Sequence, residues 1–333
     1  MATPWALLGH GGRLGAARTF YPDAPAPWLD LSTGINPWSY PVPALAPEAW
    51  SRLPDPDTVR ALERAAAAAF GVEDPARVAA APGSEALIRR LPSLLPASRI
   101  GVPARTYGGH AEAWRLAGAT CLTGATCLAG DAGAVDLRVV VNPNNPDGLA
   151  LTPDQVLGLT GDWLIVDEAF ADNDPALSVA PLAGAPGHER LIVLRSFGKF
   201  YGLAGARLGF LISEPALAAR VRQTLGDWAV SGPAIAVGLA AYADLAWAAH
   251  ARRRLTQDAA RLDALLHGGG FEVAGGTSLF RLTRATDAPR RFEVLARAGI
   301  LTRPFPWDET LIRFGLPGPE PDWLRLADAL ETL

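Results

Sequence analysis

Residues 191–210 read LIVLRSFGKFYGLAGARLGF, and they are the strongest indication of both the fold and the chemistry of this protein. Its first four residues form a continuous apolar run, typical of a strand that is covered on both faces. Lys199 follows among aromatic residues and glycines, and it is the only lysine; the other 29 basic residues are arginine. An amine can lose its proton and condense with an aldehyde, which a guanidinium cannot do. Lys199 is therefore a candidate for covalent catalysis, and a surface lysine kept by chance is the competing interpretation.

Two similar apolar runs, at residues 138–142 and 163–167, predict further buried strands of the same sheet. Helices are predicted between and before the strands, each after a proline-containing start signal, at residues 58–70, 84–95 and 152–159. This alternation predicts an α/β fold whose mostly parallel central sheet has helices on both faces.

The C-terminal third has a different pattern. One long alanine-rich helix is predicted from Gly232-Pro233 towards residue 266, followed by strands at 271–274, 278–283 and 311–314 and helices near 288–298 and 321–332. We expect three parts: an N-terminal segment (1–45) that packs on the active site and on the small domain, a large cofactor-binding domain (46–235), and the connecting helix with a small α+β domain (236–333).

Composition excludes several classes of protein. With 49% hydrophobic and 19% charged residues the chain has the profile of a folded enzyme, and a net charge of −4 argues against nucleic acid as a partner. The two cysteines, Cys121 and Cys127, give neither a zinc signature nor a disulfide framework, so no metal is expected and both thiols are expected to be buried and reduced. With no signal peptide and no membrane span in the sequence, we expect a cytoplasmic protein.

Chemically useful side chains follow three of the predicted strands. Asp167 ends one strand, Asn145 follows the strand at 138–142, and Ser196 and Lys199 follow the strand at 191–194. Carboxyl ends of parallel strands meet at one edge of a sheet, where ligands bind. Pyridoxal phosphate needs this set: a lysine for its aldehyde, a carboxylate for its ring nitrogen, and a helix start with an arginine for its phosphate. Residues 82–85, at a predicted helix start, offer backbone N–H groups for that phosphate.

Three ordered motifs carry a resemblance to a known family: residues 142–148 (NPNNPDG), 166–170 (VDEAF) and 196–210 (SFGKFYGLAGARLGF). They resemble the signatures of fold-type I pyridoxal-phosphate enzymes, in the class I/II aminotransferase branch, across nearly the whole chain. The resemblance implies Lys199 as the Schiff-base lysine and Asp167 as the partner of the ring nitrogen. It further implies a homodimer with its active sites at the subunit boundary.

The same resemblance implies roles for the remaining cofactor-binding residues. Asn145 would bind the cofactor's 3′-oxygen, and Tyr107 would stack on the ring, with His110 behind the aspartate. The phosphate would be held by Gly83, Ser84, Glu85, Ser196 and Arg207. Each has a simpler reading as well: a turn for Asn145, ordinary core for Tyr107, and a surface or supporting histidine for His110.

Within this branch two groups share phosphorylated substrates, the histidinol-phosphate aminotransferases and the threonine-phosphate decarboxylases of cobalamin synthesis. His10-Gly11-Gly12, the segment 29–37 (LDLSTGINP) and Phe170 in place of a usual tyrosine resemble the decarboxylases. The resemblance then implies decarboxylation of L-threonine O-3-phosphate, with aminotransferase activity as the alternative. The substrate-binding residues would be His10, Gly11, Gly12, Asn36, Arg303 and Arg313.

Two positions depart from the family pattern. Leu53 stands where many members have a tyrosine that reaches the partner subunit's cofactor phosphate, and Asp147 replaces a usual threonine.

The sequence disfavours two other classes of function, an effector-binding module and a dinucleotide enzyme. A non-catalytic effector-binding module would need a basic helix-turn-helix domain, for which residues 1–50 are too short, and a dinucleotide enzyme would need a Gly-x-Gly-x-x-Gly motif.

Overall fold

The computed structural model describes residues 4–8, 10–123, 135–159 and 161–333. Its helices are α1 (Pro4–Leu7), α2 (Leu14–Phe20), α3 (Glu48–Ser51), α4 (Pro56–Ala69), α5 (Ser84–Arg90), α6 (Gly108–Leu116), α7 (Pro153–Leu157), α8 (Phe197–Phe200), α9 (Pro215–Leu225), α10 (Gly232–Ala243), α11 (Leu245–Gly268), α12 (Ala288–Arg297) and α13 (Glu320–Leu330). Its strands are β1 (Leu29–Asp30), β2 (Val78–Ala81), β3 (Arg99–Val102), β4 (Thr120–Thr123), β5 (Leu137–Val141), β6 (Trp163–Asp167), β7 (Leu191–Ser196), β8 (Gly209–Ile212), β9 (Glu272–Thr277), β10 (Phe280–Arg284), β11 (Ile300–Leu301), β12 (Arg303–Pro304) and β13 (Leu311–Gly315).

The chain divides into two compact units. Unit 1 contains residues 1–39, 146–148 and 250–333, and unit 2 contains residues 40–145 and 149–249. The boundaries between the units lie at 39/40 and 249/250, whereas the sequence predicted them at 45/46 and 235/236. The second boundary falls within α11.

Unit 2 is built on a seven-stranded sheet with the strand order β2-β8-β7-β6-β5-β3-β4. All neighbours run parallel except β8, which is antiparallel to both β2 and β7. Every residue of β5, β7 and β8 is buried, as expected for strands that are covered on both faces. The prediction of a mostly parallel central sheet is confirmed, and the carboxyl ends of β5, β6 and β7 lie side by side in it.

Unit 1 holds two smaller sheets. In one, β12, β13, β10 and β9 pair antiparallel in that order; in the other, β1 and β11 pair in parallel. The short pair joins the N-terminal segment to the C-terminal part of the chain, because Leu29 and Asp30 lie in register with Ile300 and Leu301. The predicted C-terminal strands and helices are present, within a few residues of their expected bounds.

Two helix predictions were wrong in extent. The long alanine-rich helix is interrupted at Asp244, whose Oδ1 accepts a 2.9 Å hydrogen bond from the amide of Trp247 and so caps α11. The helix predicted at 84–95 ends at Arg90 and continues as a 3₁₀ turn over Leu91–Ser93. Pro92 has no N–H to donate to the carbonyl oxygen four residues earlier, so the α-helical bonding pattern is interrupted there.

The remaining sequence expectations concern cysteines, metals and membranes. Cys121 is half-buried rather than buried, and Cys127 lies outside the described residues. No cluster of three or more histidine, cysteine or acidic side chains in the described ranges could hold a metal ion. Among the described helices none alone is long and apolar enough to cross a membrane; α10 and α11 pass that test only together, across an 80° bend.

Candidate active site

Lys199 lies on α8, the short helix that directly follows β7. The side chain is half-buried, and its Nζ stands 5.9 Å from the centre of the Phe170 ring. Phe197 and Phe200 on either side are each 1% exposed. The lysine is thus carried by a turn whose neighbouring side chains are fixed in the core.

An aromatic cluster holds that turn in place. The ring of Tyr201 is stacked between Phe197, at 4.6 Å, and Trp247, at 5.4 Å, with interplanar angles of 14° to both. Tyr40 and Tyr242 meet the Tyr201 ring edge-on, at 6.2 and 5.4 Å. Aromatic contacts of this kind add to the stabilisation from burial, so α8 is rigidly supported.

Asp167 ends β6 and is 4% exposed. Its Oδ2 lies 2.9 Å from Nε2 of His110, and its Oδ1 accepts a hydrogen bond from the amide of Ala169. A carboxylate can only accept hydrogen bonds, so Nε2 of His110 carries the shared proton. The structure therefore brings together the two residues that the sequence paired, and it fixes the orientation of the carboxylate.

Four of the predicted phosphate-binding residues also come together. The hydroxyl oxygens of Ser84 and Ser196 lie 2.6 Å apart, which joins the start of α5 to the end of β7. Gly83 has φ +87°, and a Cβ built on it would lie 2.7 Å from Nη2 of Arg207. Only glycine meets both conditions here, because the position needs a left-handed backbone and room for a guanidinium.

Tyr107 precedes α6 and is half-buried. Its hydroxyl donates a 2.9 Å hydrogen bond to Oε2 of Glu85, and its ring meets the His110 ring edge-on at 6.2 Å. Burial and the nearby Glu85 carboxylate raise the pKa of Tyr107 above its usual value of 10. The phenol therefore keeps its proton at neutral pH and serves as a donor.

The asparagine-rich turn after β5 presents Asn145. The side chain of Asn142 bonds to both backbone groups of Leu151, and Oδ1 of Asn144 accepts a 2.6 Å hydrogen bond from the hydroxyl of Thr106. Asn142 and Asn144 thus hold the turn itself. Asn145, 8% exposed, is the third buried asparagine of the turn and the one that the sequence assigned to a cofactor.

A buried ion cluster lies next to this site, and the sequence did not predict it. Arg195, 4% exposed, donates to Glu168 (2.8 Å) and to Asp172 (2.5 Å), and the Ser178 hydroxyl also donates to Glu168. We call Glu168, Arg195 and Asp172 the Arg195 cluster. Burial raises the pKa of Glu168 despite the neighbouring guanidinium; for Arg195, burial lowers the pKa, but the two carboxylates outweigh it and raise the pKa overall. A signal for this cluster was present in the sequence. Glu168 directly follows Asp167, Arg195 directly precedes Ser196, and the two predicted strands are neighbours in a parallel sheet.

The predicted substrate-binding residues all belong to unit 1. Arg303 on β12 and Arg313 on β13 are directly opposed in register, so both side chains project from the same face of the sheet. Arg313 is 2% exposed and lies over the Phe280 ring, at 4.8 Å. Burial and the charge of Arg303 lower the pKa of Arg313 well below its usual value. Two opposed cations suit an anion, which offsets their repulsion.

The N-terminal residues of the predicted set are connected to this pair. The amide of Gly12 donates a 2.8 Å hydrogen bond to Oγ of Ser32, and Nη2 of Arg313 donates to the carbonyl oxygen of Ser32 at 2.9 Å. His10 itself is exposed. Asn36 is 1% exposed, and its Oδ1 accepts a hydrogen bond from the amide of Trp38. Ser32 was not singled out from the sequence.

Comparison with known proteins places the chain in a family. The pattern of the class I and II aminotransferases matches residues 29–330. A threonine-phosphate decarboxylase of Pseudomonas aeruginosa is 43% identical over 97% of both chains, and another from a Sinorhizobium species is 42% identical over 98% of this chain and 99% of its own.

Solved structures agree on the architecture. Histidinol-phosphate aminotransferase from Sinorhizobium meliloti, crystallised in complex with pyridoxal-5′-phosphate, superimposes with a TM-score of 0.80 over 99% of this chain and 98% of its own, at 19% identity. At that identity the likeness shows the fold alone, and it confirms the predicted fold class. Fold, motif order and full-length similarity lead to one conclusion: the chain belongs to the class I and II aminotransferase family.

Proposed function

We propose that this protein is a pyridoxal-phosphate-dependent threonine-phosphate decarboxylase of cobalamin biosynthesis. It would release the carboxylate of L-threonine O-3-phosphate as CO₂ and place a proton on the same carbon, giving (R)-1-amino-2-propanol O-2-phosphate. The observation that carries the proposal is the similarity, at 43% and 42% identity over nearly the whole chain, to two proteins of that name.

The described residues of unit 2 fit the cofactor. The Gly83 position leaves room for the Arg207 guanidinium beside the Ser84–Ser196 hydroxyl pair, which suits a phosphate group. We assign the remaining contacts by chemistry. The Lys199 amine would bind the aldehyde, Asp167 the ring nitrogen, Asn145 the ring oxygen and Tyr107 the ring face. The backbone amide of Glu85, next to Gly83 and Ser84, would bind the phosphate.

When bound, pyridoxal phosphate supplies a protonated ring that accepts the electron pair of a broken Cα bond. Asp167 would hold the proton at the ring nitrogen, and the hydrogen bond from His110 keeps that carboxylate in one orientation. Tyr107 would stay protonated, since its phenol donates to Glu85. The residues that bind the substrate carboxylate would decide which Cα bond breaks, because they would set the orientation of the substrate.

We assign substrate binding to unit 1. Arg313 is buried and rigidly packed over Phe280, which suits a planar carboxylate, and Arg303 opposite it would bind the phosphate group together with His10, Gly11 and Gly12. Asn36, also buried, would complete the set. The substrate has two anionic groups, and the opposed arginines supply two cations.

We further propose a homodimer located in the cytoplasm, without nucleic acid or membrane as a partner. In unit 2, Trp50, Leu53 and Trp228 are 72%, 67% and 56% exposed, an unusual exposure for large apolar side chains. Analytical ultracentrifugation of the holoenzyme tests the proposed dimer. A monomer at micromolar concentration would contradict it.

The decisive assay incubates the holoenzyme with L-threonine O-3-phosphate and measures CO₂ release against 2-oxoglutarate-dependent amine transfer. CO₂ release in proportion to amine product supports the proposal. Amine transfer without CO₂, or activity on histidinol phosphate alone, would identify an aminotransferase instead.

Borohydride reduction of the holoenzyme tests the cofactor assignment. The cofactor should be fixed to Lys199, the only side-chain amine in the sequence. Lys199→Ala and Lys199→Arg should both lose the cofactor's visible absorption and the activity, because neither retains a reactive amine. A normal absorption band in either variant would overturn the assignment.

A further inference from the structure

Ser32 is a fully buried serine with a complete set of partners. It follows β1, and its exposed fraction is 0%. Both its amide and its hydroxyl lie within hydrogen-bond distance of Oδ1 of Asp30, at 2.9 and 2.5 Å. The amide of Gly12 points at the same hydroxyl oxygen, at 2.8 Å.

The chemistry of these groups fixes the direction of each bond. A carboxylate has no proton to give, so the single hydroxyl proton of Ser32 goes to Asp30. The oxygen of Ser32 is then left as an acceptor, and the Gly12 amide is its donor. Asp30 therefore orients the hydroxyl, and the hydroxyl binds the backbone of the His10-Gly11-Gly12 segment.

Close packing reinforces that bond. A Cβ on Gly11 would lie 2.5 Å from the carbonyl oxygen of Ser32, well inside van der Waals contact. Residue 11 must therefore be glycine for the two backbones to approach this closely. The segment is held against Ser32 by one hydrogen bond and by the absence of a side chain.

The carbonyl oxygen of Ser32 also contacts Arg313, the proposed substrate-binding arginine. Nη2 of Arg313 donates to the carbonyl oxygen of Ser32 at 2.9 Å. The hydroxyl of Ser32 thus accepts from the Gly12 amide, while its carbonyl oxygen packs against Gly11 and accepts from Arg313. One residue joins two parts of the proposed anion-binding set that are about 300 positions apart in sequence.

We propose that Ser32 is a positioning residue that sets the distance between the His10-Gly11-Gly12 segment and Arg313. The inference rests on the proposed function, since it assigns to this segment the substrate phosphate and to Arg313 the substrate carboxylate. Ser32 touches neither group of the substrate. It orients, through the Gly12 amide, the segment that does.

Ser32→Ala separates the two contacts, because it removes the hydroxyl and keeps the carbonyl that Arg313 uses. Hydrogen–deuterium exchange of the holoenzyme, without substrate, should show faster exchange at Gly11 and Gly12, by about fivefold or more, the effect of one lost hydrogen bond. Thr33→Ser is the matched control: the Thr33 methyl lies near the same turn, but no hydrogen bond to Gly12 depends on it. Exchange at Gly12 that equals the wild-type rate in Ser32→Ala would overturn the proposal.

A second pair of variants decides the question if Ser32→Ala does not fold. Asp30→Asn keeps an acceptor oxygen for the Ser32 hydroxyl, so exchange at Gly12 should stay close to the wild-type rate. Asp30→Ala lets the hydroxyl rotate, and exchange should rise. Equal exchange in the two variants contradicts the orienting role of Asp30 and with it the proposal.

Ligand binding distinguishes this inference from the proposed function. In Ser32→Ala, the Kd of L-threonine O-3-phosphate should rise about tenfold, whereas the Kd of L-threonine should change by less than about twofold. Equal losses for both ligands would overturn the positioning role. If wild-type holoenzyme binds neither ligand, the proposed function fails, and the exchange measurements still decide the role of Ser32.

Discussion

Two buried arginines of this protein stand in opposite electrostatic surroundings. Arg195 in unit 2 is 4% exposed and donates to the carboxylates of Glu168 and Asp172. Arg313 in unit 1 is 2% exposed, and the neighbour across the strand pair is a second cation, Arg303. The pKa of Arg195 is raised because its two acidic partners outweigh the effect of burial, and the pKa of Arg313 is lowered because burial and Arg303 outweigh Asp30.

The difference separates an arginine whose partners lie within the fold from one that we propose binds a ligand. In the Arg195 cluster the guanidinium has two carboxylates of the protein itself as partners, so the ion pairs join β7 to the segment that follows β6 and need no external anion. The Arg303–Arg313 pair gathers positive charge in a place where water cannot solvate it well, and an incoming dianion relieves that repulsion. Burial alone would not have distinguished the two.

The largest effect should come from Arg195→Met. It leaves two buried carboxylates without their cation, which costs about 3–5 kcal/mol of unfolding free energy. Urea unfolding followed by circular dichroism measures the loss. Arg190→Met is the control, because Arg190 and its partner Asp162 are 64% and 71% exposed, and it should leave the stability unchanged. If Arg195→Met unfolded at the same urea concentration as the wild type, Arg195 would not stabilise the fold, and the difference between the two arginines would be contradicted.

Arg313→Met should lower the activity and leave the stability nearly unchanged, the reverse of the effect expected for Arg195→Met. We expect kcat/KM for L-threonine O-3-phosphate to fall about 100-fold, the effect of a lost charge-assisted pair. The unfolding free energy should change by less than about 1 kcal/mol, because a buried charge that faces another cation is removed. Arg284→Met, in the same sheet and bonded to Thr310, is the control and should keep full activity. A stability loss as large as that of Arg195→Met would show that Arg313 is structural.

Arg303→Met is the milder test of the same pair. The half-buried Arg303 should contribute less, so we expect the KM to rise about tenfold with little change in kcat. Because Arg303 lowers the pKa of Arg313, its removal should also make the fold slightly more stable. Steady-state kinetics and urea unfolding on the same preparation measure both effects. A loss in kcat alone would place Arg303 in the chemical step.

The smallest effect concerns pH. Burial, with Tyr201 and Asp172 nearby, raises the pKa of Tyr242 well above 10. The folded state then holds this proton more tightly than the unfolded chain, so the stability contribution is present below pH 10 and is lost as the pH rises further. Between pH 9 and pH 11 the wild type should lose about 1 kcal/mol more than Tyr242→Phe. Equal losses of unfolding free energy in the wild type and in Tyr242→Phe, measured by urea unfolding, would contradict the raised pKa of Tyr242.

The positions of the proposed cofactor-binding residues were largely predictable because these residues belong to short contiguous motifs at strand ends. A parallel sheet brings such ends together whatever the rest of the chain does, so Asp167, Ser196 and Lys199 could be placed in advance. The apolar runs that became β5, β6 and β7 were equally clear. All residues of β5 and β7 and the last three of β6 are buried, and short runs rich in β-branched residues and bounded by loop signals favour strands.

The rest depended on contacts between distant residues. No local pattern links Asp172 to Arg195, or Ser32 to Gly12, because the chain returns to each only through the tertiary fold. The break between α10 and α11 was missed for another reason. Alanine favours helix on both sides. The non-helical backbone of Asp244 ends α10, and the capping bond from the Trp247 amide to Asp244 starts α11.

The arginine bias gives the molecule a built-in reporter of local opening. A lysine-specific protease can cut this sequence at one bond only, between Lys199 and Phe200. Phe200 is 1% exposed within the aromatic cluster, so cleavage requires α8 to leave its place. The rate at which two fragments appear would therefore measure how often the turn that carries Lys199 detaches from the fold. A cofactor bound to the Lys199 amine should prevent the cleavage.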